Sequence, residues 1–173
     1  DWANEWKQYF HVTHVGESLV IKPSWEEYEA KYGEHVIKID PGMAFGTGTH
    51  HTTNMCMARL EKILTKDDVV FDVGTGSGAI AVALACEEPN MNVSASDISP
   101  TAIEVAEFNA EKNDAKVKFF VGDMLQPFIE NNYKVDILVS NPPYIPDDEY
   151  VEDIVLNNEP HVALFGGSDG MHF

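Results

Sequence analysis

The sequence predicts an α/β fold built on a mostly parallel sheet with crossover helices. After residue 68, apolar runs of strand length alternate with helix-like segments, and such alternation is typical of parallel sheets joined by crossover helices. Residues 74–78, Gly-Thr-Gly-Ser-Gly, follow directly on one of these runs. The chain has 173 residues, of which 44% are hydrophobic, so it can bury one sizeable core.

Residues 1–40 differ from the rest in composition, with three tryptophans and short runs in which apolar and polar residues alternate. They are predicted to contain a hairpin around Gly16, a short capped helix from Ser24 to Tyr32, and a strand over residues 35–40. We therefore divide the chain into an N-terminal hairpin/helix extension, residues 1–40, and a main domain, residues 41–173.

The main domain begins with a loop rich in Gly and Thr over residues 41–50. Apolar spacing then predicts a helix over residues 51–64. The elements that follow are predicted as strands at 69–73, 92–97, 117–121 and 135–140, with helices at 79–86 and 100–112. Ser99 and Pro100 are typical of a helix N-cap and first turn.

The glycine-rich turn at residues 74–78 points to a nucleotide-like cofactor, because glycine lets the backbone approach a ligand closely. Ligands of open parallel sheets bind at the carboxyl ends of the strands. Asp97 ends the next predicted strand and can accept hydrogen bonds from both ribose hydroxyls. Asp123 follows the third strand and can face an adenine amino group. The alternative is that both carboxylates only cap the following turns, but all three strand ends point to one crevice.

Residues 141–144, Asn-Pro-Pro-Tyr, follow the fourth strand and are typical of a pocket for a substrate nitrogen. Asn141 offers a side-chain carbonyl, and Pro142 offers a main-chain carbonyl without a competing N–H. Two such acceptors can orient an NH₂ group and favour the positive charge that develops on it. Tyr144 can stack on a planar amide or base. The alternative is a proline-rich turn without a binding role.

Together these motifs resemble the S-adenosylmethionine (SAM)-dependent methyltransferases of the Rossmann-like class. The resemblance implies a Rossmann-like SAM-methyltransferase fold with the N-terminal extension added, and SAM as the cofactor. By the same resemblance, Asn141, Pro142 and Tyr144 would be the catalytic residues. The cofactor would be held by Asp72, Gly74, Thr75, Gly76, Gly78, Asp97, Ile98, Asp123 and Asn141.

Residues 40–50, D-P-G-M-A-F-G-T-G-T-H, are similar to the loop that covers SAM in the ribosomal protein L11 methyltransferases. The tryptophan-bearing segments 1–6 and 20–25 are similar to the region that precedes this loop in that family. The resemblance implies that the cofactor is also touched by Phe45, Gly46, Thr47 and Thr49.

Residues 69–173 resemble instead the protein-(glutamine-N5) methyltransferases that act on peptide-chain release factors. The shared features are Asn-Pro-Pro-Tyr, Glu159-Pro160 and the glycine-rich residues 166–170. This resemblance favours the glutamine side-chain amide of a release factor as the methyl acceptor. The alternatives are an L11 methyltransferase, methylation of a nucleic-acid base, and a SAM-binding fragment without turnover.

Because the two halves resemble different families, the sequence predicts a chimera with a seam near residues 64–75. The methyltransferase class normally has seven strands, yet only 29 residues follow Tyr144, with no convincing strand beyond 162–165. We therefore expect a C-terminally truncated fold in which the strand at 135–140 has an open edge. Such edges invite pairing with another chain, so either a homodimer or a marginally stable monomer is expected.

The charge balance of 11 basic against 29 acidic residues gives a formal net charge of −18. Because attraction to phosphates supplies most non-specific nucleic-acid affinity, free nucleic acid is a poor partner and a basic protein fits better.

Cys56 and Cys86 lie in apolar runs typical of buried thiols. No apolar run reaches membrane-span length and no signal-peptide pattern opens the chain, so a cytoplasmic location is expected. No metal is expected, since the histidines lack accompanying carboxylates.

Overall fold

The computed structural model describes residue 7 and the ranges 10–40, 46, 48–157 and 159–173. The strands of these residues form two sheets, one of three strands near the N-terminus and one of four strands in the main domain. No helix in the described part of the chain is long and apolar enough to cross a membrane.

The small sheet contains β1 (Thr13–Val15), β2 (Leu19–Lys22) and β3 (His35–Lys38) in the order β1-β2-β3. β1 and β2 form an antiparallel hairpin, and β3 pairs with β2 in parallel. All four residues of β2 are buried, as befits the central strand. The predicted hairpin is thus confirmed, and the predicted third strand is present but ends at Lys38 rather than at residue 40.

The predicted helix from Ser24 to Tyr32 is wrong. The chain makes a single turn here, in which the Glu26 amide donates to the Pro23 carbonyl at 3.4 Å, and then runs without helical structure. The polar groups that suggested a capped helix bond elsewhere. The Ser24 amide donates to Asp40 Oδ1 at 2.9 Å, and the Glu26 carboxylate accepts from the Val12 amide at 2.8 Å. Hydrogen bonds to residues that are distant in sequence have replaced the local bonds of a helix cap.

The main domain follows the predicted alternation of strands and helices. In chain order its elements are α1 (His51–Leu60), β4 (Val69–Val73), α2 (Ala79–Glu87), β5 (Asn92–Asp97), α3 (Pro100–Lys112), β6 (Val117–Val121), α4 (Gln126–Glu130), β7 (Ile137–Ser140), α5 (Asp153–Leu156) and a 3₁₀ turn (His161–Ala163). Its four strands are all parallel, in the order β6-β5-β4-β7. The order reverses at β4, which places a ligand crevice at the carboxyl end of that strand.

The core lies around α2. Residues 79–85 are all buried, and they contribute to a single apolar cluster with residues of the parallel sheet and of the small sheet. A helix that is apolar on every side must be covered on every side, and the two sheets together with α1 and α3 provide this cover. The small sheet therefore shares its core with the main domain, although the division of the chain at residue 40 stays a prediction.

Three details differ from the sequence-based expectation. α1 ends at Leu60 rather than at residue 64, and β7 begins at Ile137 rather than at residue 135. Residues 162–165 contribute a 3₁₀ turn and one isolated bridge between Phe165 and Ile145 instead of a strand. As expected, β7 lies at an edge of the parallel sheet among the described strands.

Candidate active site

The turn after β4 brings main-chain groups to the carboxyl edge of the parallel sheet. The amides of Gly74 and Thr75 both donate to the carbonyl of Ser96 in β5, at 2.9 and 3.0 Å. Gly74, Gly76 and Gly78 have φ angles of 72°, 56° and 81°, a conformation that costs little only for glycine. The turn is therefore fastened to β5 while its glycines adopt a left-handed backbone conformation that other residues rarely adopt.

Gly78 has a second role, because it allows α3 to pack closely on the start of α2. A Cβ at Gly78 would lie 2.9 Å from the Cβ and 3.1 Å from the Cα of Ala106 in α3. Contacts this short do not occur between carbon atoms in real structures, so either residue would have to move. The absence of a side chain at Gly78 thus allows the glycine turn and α3 to pack closely.

Asp72 and Thr75 support this turn from inside the protein. Thr75 Oγ1 donates to Asp72 Oδ2 at 2.6 Å, and both residues are buried. Burial raises the pKa of the Asp72 carboxyl to about 6, against the opposing effect of hydrogen bonds from Thr75 and the Ala81 amide. Neither residue lines the cavity described below, so the structure places them beneath the predicted cofactor contacts.

Asp97 links the end of β5 to the glycine turn. Its Oδ2 accepts from the Gly76 amide at 2.8 Å, and its Oδ1 accepts from the Ser99 amide at 2.9 Å. It therefore caps the following turn, as the alternative interpretation held, and also lines the cavity. Because each carboxylate oxygen has two lone pairs, both oxygens retain capacity for a ligand hydroxyl. The two roles are compatible.

A cavity of about 170 Å³ lies over the carboxyl ends of the parallel strands. One side of it, the strand-end wall, follows β4, β5 and β6 and consists of Gly74, Gly76, Asp97, Ile98, Asp123 and Met124. The remaining lining residues follow β7 in the sequence and are called the C-terminal wall: Asn141, Pro143, Val162, Ala163 and Phe173. Five sequence-predicted cofactor residues thus meet in the strand-end wall.

Asp123 is exposed at the end of β6, and its main-chain carbonyl accepts from the Gln126 amide at the start of α4, at 2.9 Å. Its neighbour Met124 also lines the cavity, with its carbonyl held by Ser96 Oγ at 2.9 Å. Sequence reasoning missed Met124. The available signal was an apolar side chain directly after a strand-end carboxylate, a position from which it can flank a flat ring.

Asn141 begins the C-terminal wall. Its Nδ2 donates to Thr53 Oγ1 in α1 at 3.5 Å, a long hydrogen bond, and Thr53 is buried. With Nδ2 directed to Thr53, Oδ1 is the atom of this amide that can accept from a ligand. Thr53 was also missed from the sequence, where it reads as a polar residue near a helix start.

The structure separates Asn141 from the other predicted catalytic residues. Pro142 and Tyr144 do not line the cavity, and the Tyr144 side chain is 52% exposed. Pro143 lines the cavity instead. The grip expected from Asn141, Pro142 and Tyr144 together stays a prediction, and in the structure the loop turns away from the cavity after Pro143.

This turn is caused by main-chain pairing with the C-terminal segment. The Ile145 amide donates to the Leu164 carbonyl at 3.0 Å, and the Gly166 amide donates to the Ile145 carbonyl at 2.9 Å. The Asp147 amide donates to the Gly167 carbonyl at 3.0 Å. These bonds seat the 3₁₀ turn, which supplies Val162 and Ala163 to the cavity. Sequence reasoning noticed the glycines of this segment but assigned none of its side chains to a site.

The loop predicted to cover the cofactor is described only in part. Phe45 and Thr47 lie outside the described residues. Gly46 has a φ of 96°, and its carbonyl accepts a hydrogen bond from Ser77 Oγ in the glycine turn. Thr49 is half-buried, and its carbonyl accepts from Asn54 Nδ2 at 3.5 Å. Gly46 is thus held at the glycine turn, although neither it nor Thr49 lines the cavity.

The chemistry of the strand-end wall fits SAM. Asp97 and Asp123 can accept from hydroxyl and amino groups, Ile98 and Met124 offer apolar surface, and the glycine turn leaves room for close approach. Within the described ranges, no group of three or more His, Cys, Asp or Glu side chains is arranged to hold a metal ion.

Residues 1–144 match the family model described as ribosomal protein L11 methyltransferase (PrmA). The L11 methyltransferase of Thermoanaerobacter pseudethanolicus is 47% identical over 175 residues, which cover 99% of this chain and 52% of that protein. The one from Alkaliphilus metalliredigens is 41% identical over 171 residues, covering 99% and 51%. The chain therefore spans about half the length of the curated relatives it matches.

The crystal structure of the ribosomal protein L11 methylase from Lactobacillus delbrueckii subsp. bulgaricus has a similar fold. It is 33% identical, with a TM-score of 0.66 and coverage of 76% of this chain and 66% of that one. The predicted Rossmann-like methyltransferase fold is confirmed.

The family match runs without a break across residues 64–75, where a seam was expected, and the similarity to the Thermoanaerobacter protein covers nearly the whole chain. The comparisons therefore give no support to a chimera or to a release-factor methyltransferase segment. SAM, the cofactor expected from the sequence, is the one that this family assignment supports. By its family model, its relatives and its fold, the chain belongs to the ribosomal protein L11 methyltransferase family.

Proposed function

We propose that this chain transfers a methyl group from SAM to a nitrogen atom of a protein, and that the protein is ribosomal protein L11. The observation that carries the proposal is that Asp97 and Asn141 line the same cavity. Relatives of this chain are named as L11 methyltransferases. The glutamine amide of a release factor, favoured by the sequence, finds no support among them.

The strand-end wall would hold the cofactor, with Asp97 on the ribose hydroxyls and Asp123 at the adenine amino group. When bound, SAM supplies an electrophilic methyl group on a sulfonium. Hydrogen bonds from Gly76 and Ser99 fix the Asp97 carboxylate before any ligand arrives. Such preorganisation lowers the entropic cost of binding.

The C-terminal wall would hold the acceptor. Asn141 Oδ1 can accept a hydrogen bond from the substrate nitrogen and favour the positive charge that develops there. The other four residues of this wall, Pro143, Val162, Ala163 and Phe173, are apolar and give the acceptor a surface of low polarity. The task is mainly to bring nitrogen and methyl group into line, so correct placement contributes several kcal/mol to lowering the barrier.

The net charge supports a protein acceptor rather than nucleic acid. At −18 the chain attracts basic surfaces and repels phosphates. Residues 144–173 alone contain seven carboxylates and no Lys or Arg, and this segment includes most of the C-terminal wall. A basic protein would therefore meet favourable charge near the acceptor side of the cavity.

Isothermal titration calorimetry with SAM and its demethylated product tests the cofactor half of the proposal. We expect micromolar binding that is lost in Asp97→Ala and kept in Asp67→Ala, whose exposed carboxylate lies away from the cavity. A folded sample that binds neither compound would refute the proposal.

Transfer of a labelled methyl group from SAM to purified L11 tests the acceptor half. We expect Asn141→Ala to abolish transfer and leave SAM affinity nearly intact, whereas Asn90→Ala, at an exposed position, changes neither. Labelling of a release factor but not of L11 would overturn the choice of acceptor. SAM binding without transfer to either protein would identify a binding fragment without turnover.

A further inference from the structure

A fully buried asparagine joins the glycine turn to the N-terminal segment. Asn109 lies in α3, and its Nδ2 donates to the carbonyls of Ser77 at 2.9 Å and of Asp40 at 3.0 Å. Its Oδ1 accepts from the Asp40 amide at 3.0 Å. Both donor positions of the amide and its oxygen are thus used on main-chain groups of two other segments. A buried amide is tolerated in a core only when it is satisfied in this way.

The two segments that Asn109 joins are those expected to enclose the cofactor. Ser77 belongs to the glycine turn, and its hydroxyl also donates to the Gly46 carbonyl. Asp40 is the last described residue before the stretch 41–45, and Gly46 is the next described residue after it. Both ends of this stretch are therefore tied to Asn109 or to the Ser77 that Asn109 holds.

Comparison with a neighbouring asparagine shows that Asn109 does more than attach the N-terminal sheet to α3. Asn113, the residue that directly follows α3, makes the same pair of hydrogen bonds to the main chain of Lys38 in β3. Its Oδ1 accepts from the Lys38 amide and its Nδ2 donates to the Lys38 carbonyl, both at 2.8 Å. This pair of hydrogen bonds, together with the ion pair between Lys112 and Asp40, already holds the small sheet to α3. What Asn109 adds is the hydrogen bond to the glycine turn.

We infer that Asn109 is a positioning residue for the cofactor: through Ser77 it fixes the glycine turn, whose Gly74 and Gly76 line the cavity, relative to Asp40. This inference rests on the proposed function, because it assumes that SAM lies against the glycine turn. Asn109 itself does not line the cavity, so it acts through Ser77 and Asp40. In sequence it reads as one more polar residue in an amphipathic helix.

The test compares Asn109→Ala with Asn113→Ala, since each removes one asparagine that bonds to the main chain of the N-terminal segment. We expect Asn109→Ala to weaken SAM binding about ten-fold, the scale of one or two lost buried hydrogen bonds. Asn113→Ala is expected to change it by less than about two-fold. Calorimetry gives both affinities, at a temperature where thermal melts show that each variant is folded.

Hydrogen exchange without ligand provides a readout that does not depend on SAM. We expect faster exchange in Asn109→Ala at peptides containing Asp40 and Ser77–Gly78, and in Asn113→Ala around Lys38 rather than in the glycine turn. If Asn109→Ala does not fold, Asn109→Ser, which keeps one donor, takes its place and should show the same pattern.

Equal losses of SAM affinity in the two variants, or exchange changes confined to Asp40 in the Asn109 variant, would overturn the positioning role and leave the proposed function standing. A wild-type chain that binds no SAM would instead refute the proposed function and the cofactor role of Asn109 together.

Discussion

Asp72 carries the most unusual ionisation in the described structure, and it has a consequence for stability. Its pKa rises from an ordinary value near 3.8 to about 6, mainly because the carboxyl is buried. Between these two values the folded protein keeps a proton that the unfolded chain releases. Stability contributed by this group is therefore fully present below about pH 4 and falls as pH rises through 6.

We predict that Asp72→Asn, which resembles the protonated form, gains stability relative to the wild type as pH rises. The difference in unfolding free energy between the two proteins should shift by roughly 2 to 3 kcal/mol from pH 4 to pH 7 in favour of the variant. Urea titrations at both pH values measure it. A difference that stays constant with pH would show that Asp72 is not neutralised by burial.

Gly78 allows a prediction in which backbone strain and steric clash are separated. Gly78→Ala combines a φ of 81° with a Cβ 2.9 Å from that of Ala106, so we expect a loss of about 3 kcal/mol. Gly33→Ala is the matched control, because its φ is 85° and no atom lies within 4 Å of the added Cβ. The control should lose only about 1 kcal/mol.

Thermal and urea unfolding of these two variants give the comparison. Equal losses would mean that α3 moves aside without cost and that close packing against the glycine turn is not important.

At the scale of elements, the two edge strands of the parallel sheet differ in how they are protected. β6 carries an exposed lysine, Lys118, a common guard against unwanted pairing. β7 has no charged residue, and Leu138 is 48% exposed. Among the described strands, none pairs with the outer edge of β7.

We predict that the purified chain associates through β7 as its concentration rises and that Leu138→Lys reduces this association. Val121→Lys, at a similarly exposed position of β6, is the control and should have little effect. Light scattering over a range of concentrations measures the average mass. A monodisperse monomer at high concentration would contradict the prediction of a homodimer.

The elements also show why parts of the fold were predictable. Strands β4, β5 and β6 match their predicted bounds because each ends at, or directly before, a residue that interrupts a strand: Gly74, Asp97 and Gly122. The helix expected from Ser24 failed because cap-like residues bonded to distant partners, and no local pattern reports a partner such as Asp40. α4 was missed because five residues are too few for a helical period.

For the molecule as a whole, some residues of the site were predictable from the sequence and others were not. Asp97 and Asn141 could be named from the sequence because parallel strands bring their ends to one edge. Val162, Ala163 and Phe173 could not, because main-chain bonds to residues far away in sequence bring them to the cavity. Thr53 and Asn109 were hidden because a polar residue in a helix usually faces solvent, and only the packing shows that both are buried.

Net charge yields a prediction for the molecule as a whole. With a formal charge of −18, affinity for L11 or another basic protein should fall several-fold between low and high salt, since ions screen exposed charges. SAM binding in the same buffers is the control and should change much less, because its contacts lie in a cavity. Calorimetry at two salt concentrations measures both affinities. An affinity for the basic protein that does not change with salt would refute electrostatic attraction.

The attachment of the C-terminal wall has an evolutionary consequence. Since residues 164–167 are held by main-chain bonds to Ile145 and Asp147, their docking does not depend on which side chains Val162 and Ala163 carry. Point mutations there can reshape the acceptor side without disturbing Asp97 or the glycine turn. Related proteins could thus keep the same strand-end wall while their preference for a methyl acceptor changes. Substitutions at Val162 and Ala163 alone would be enough to begin this divergence.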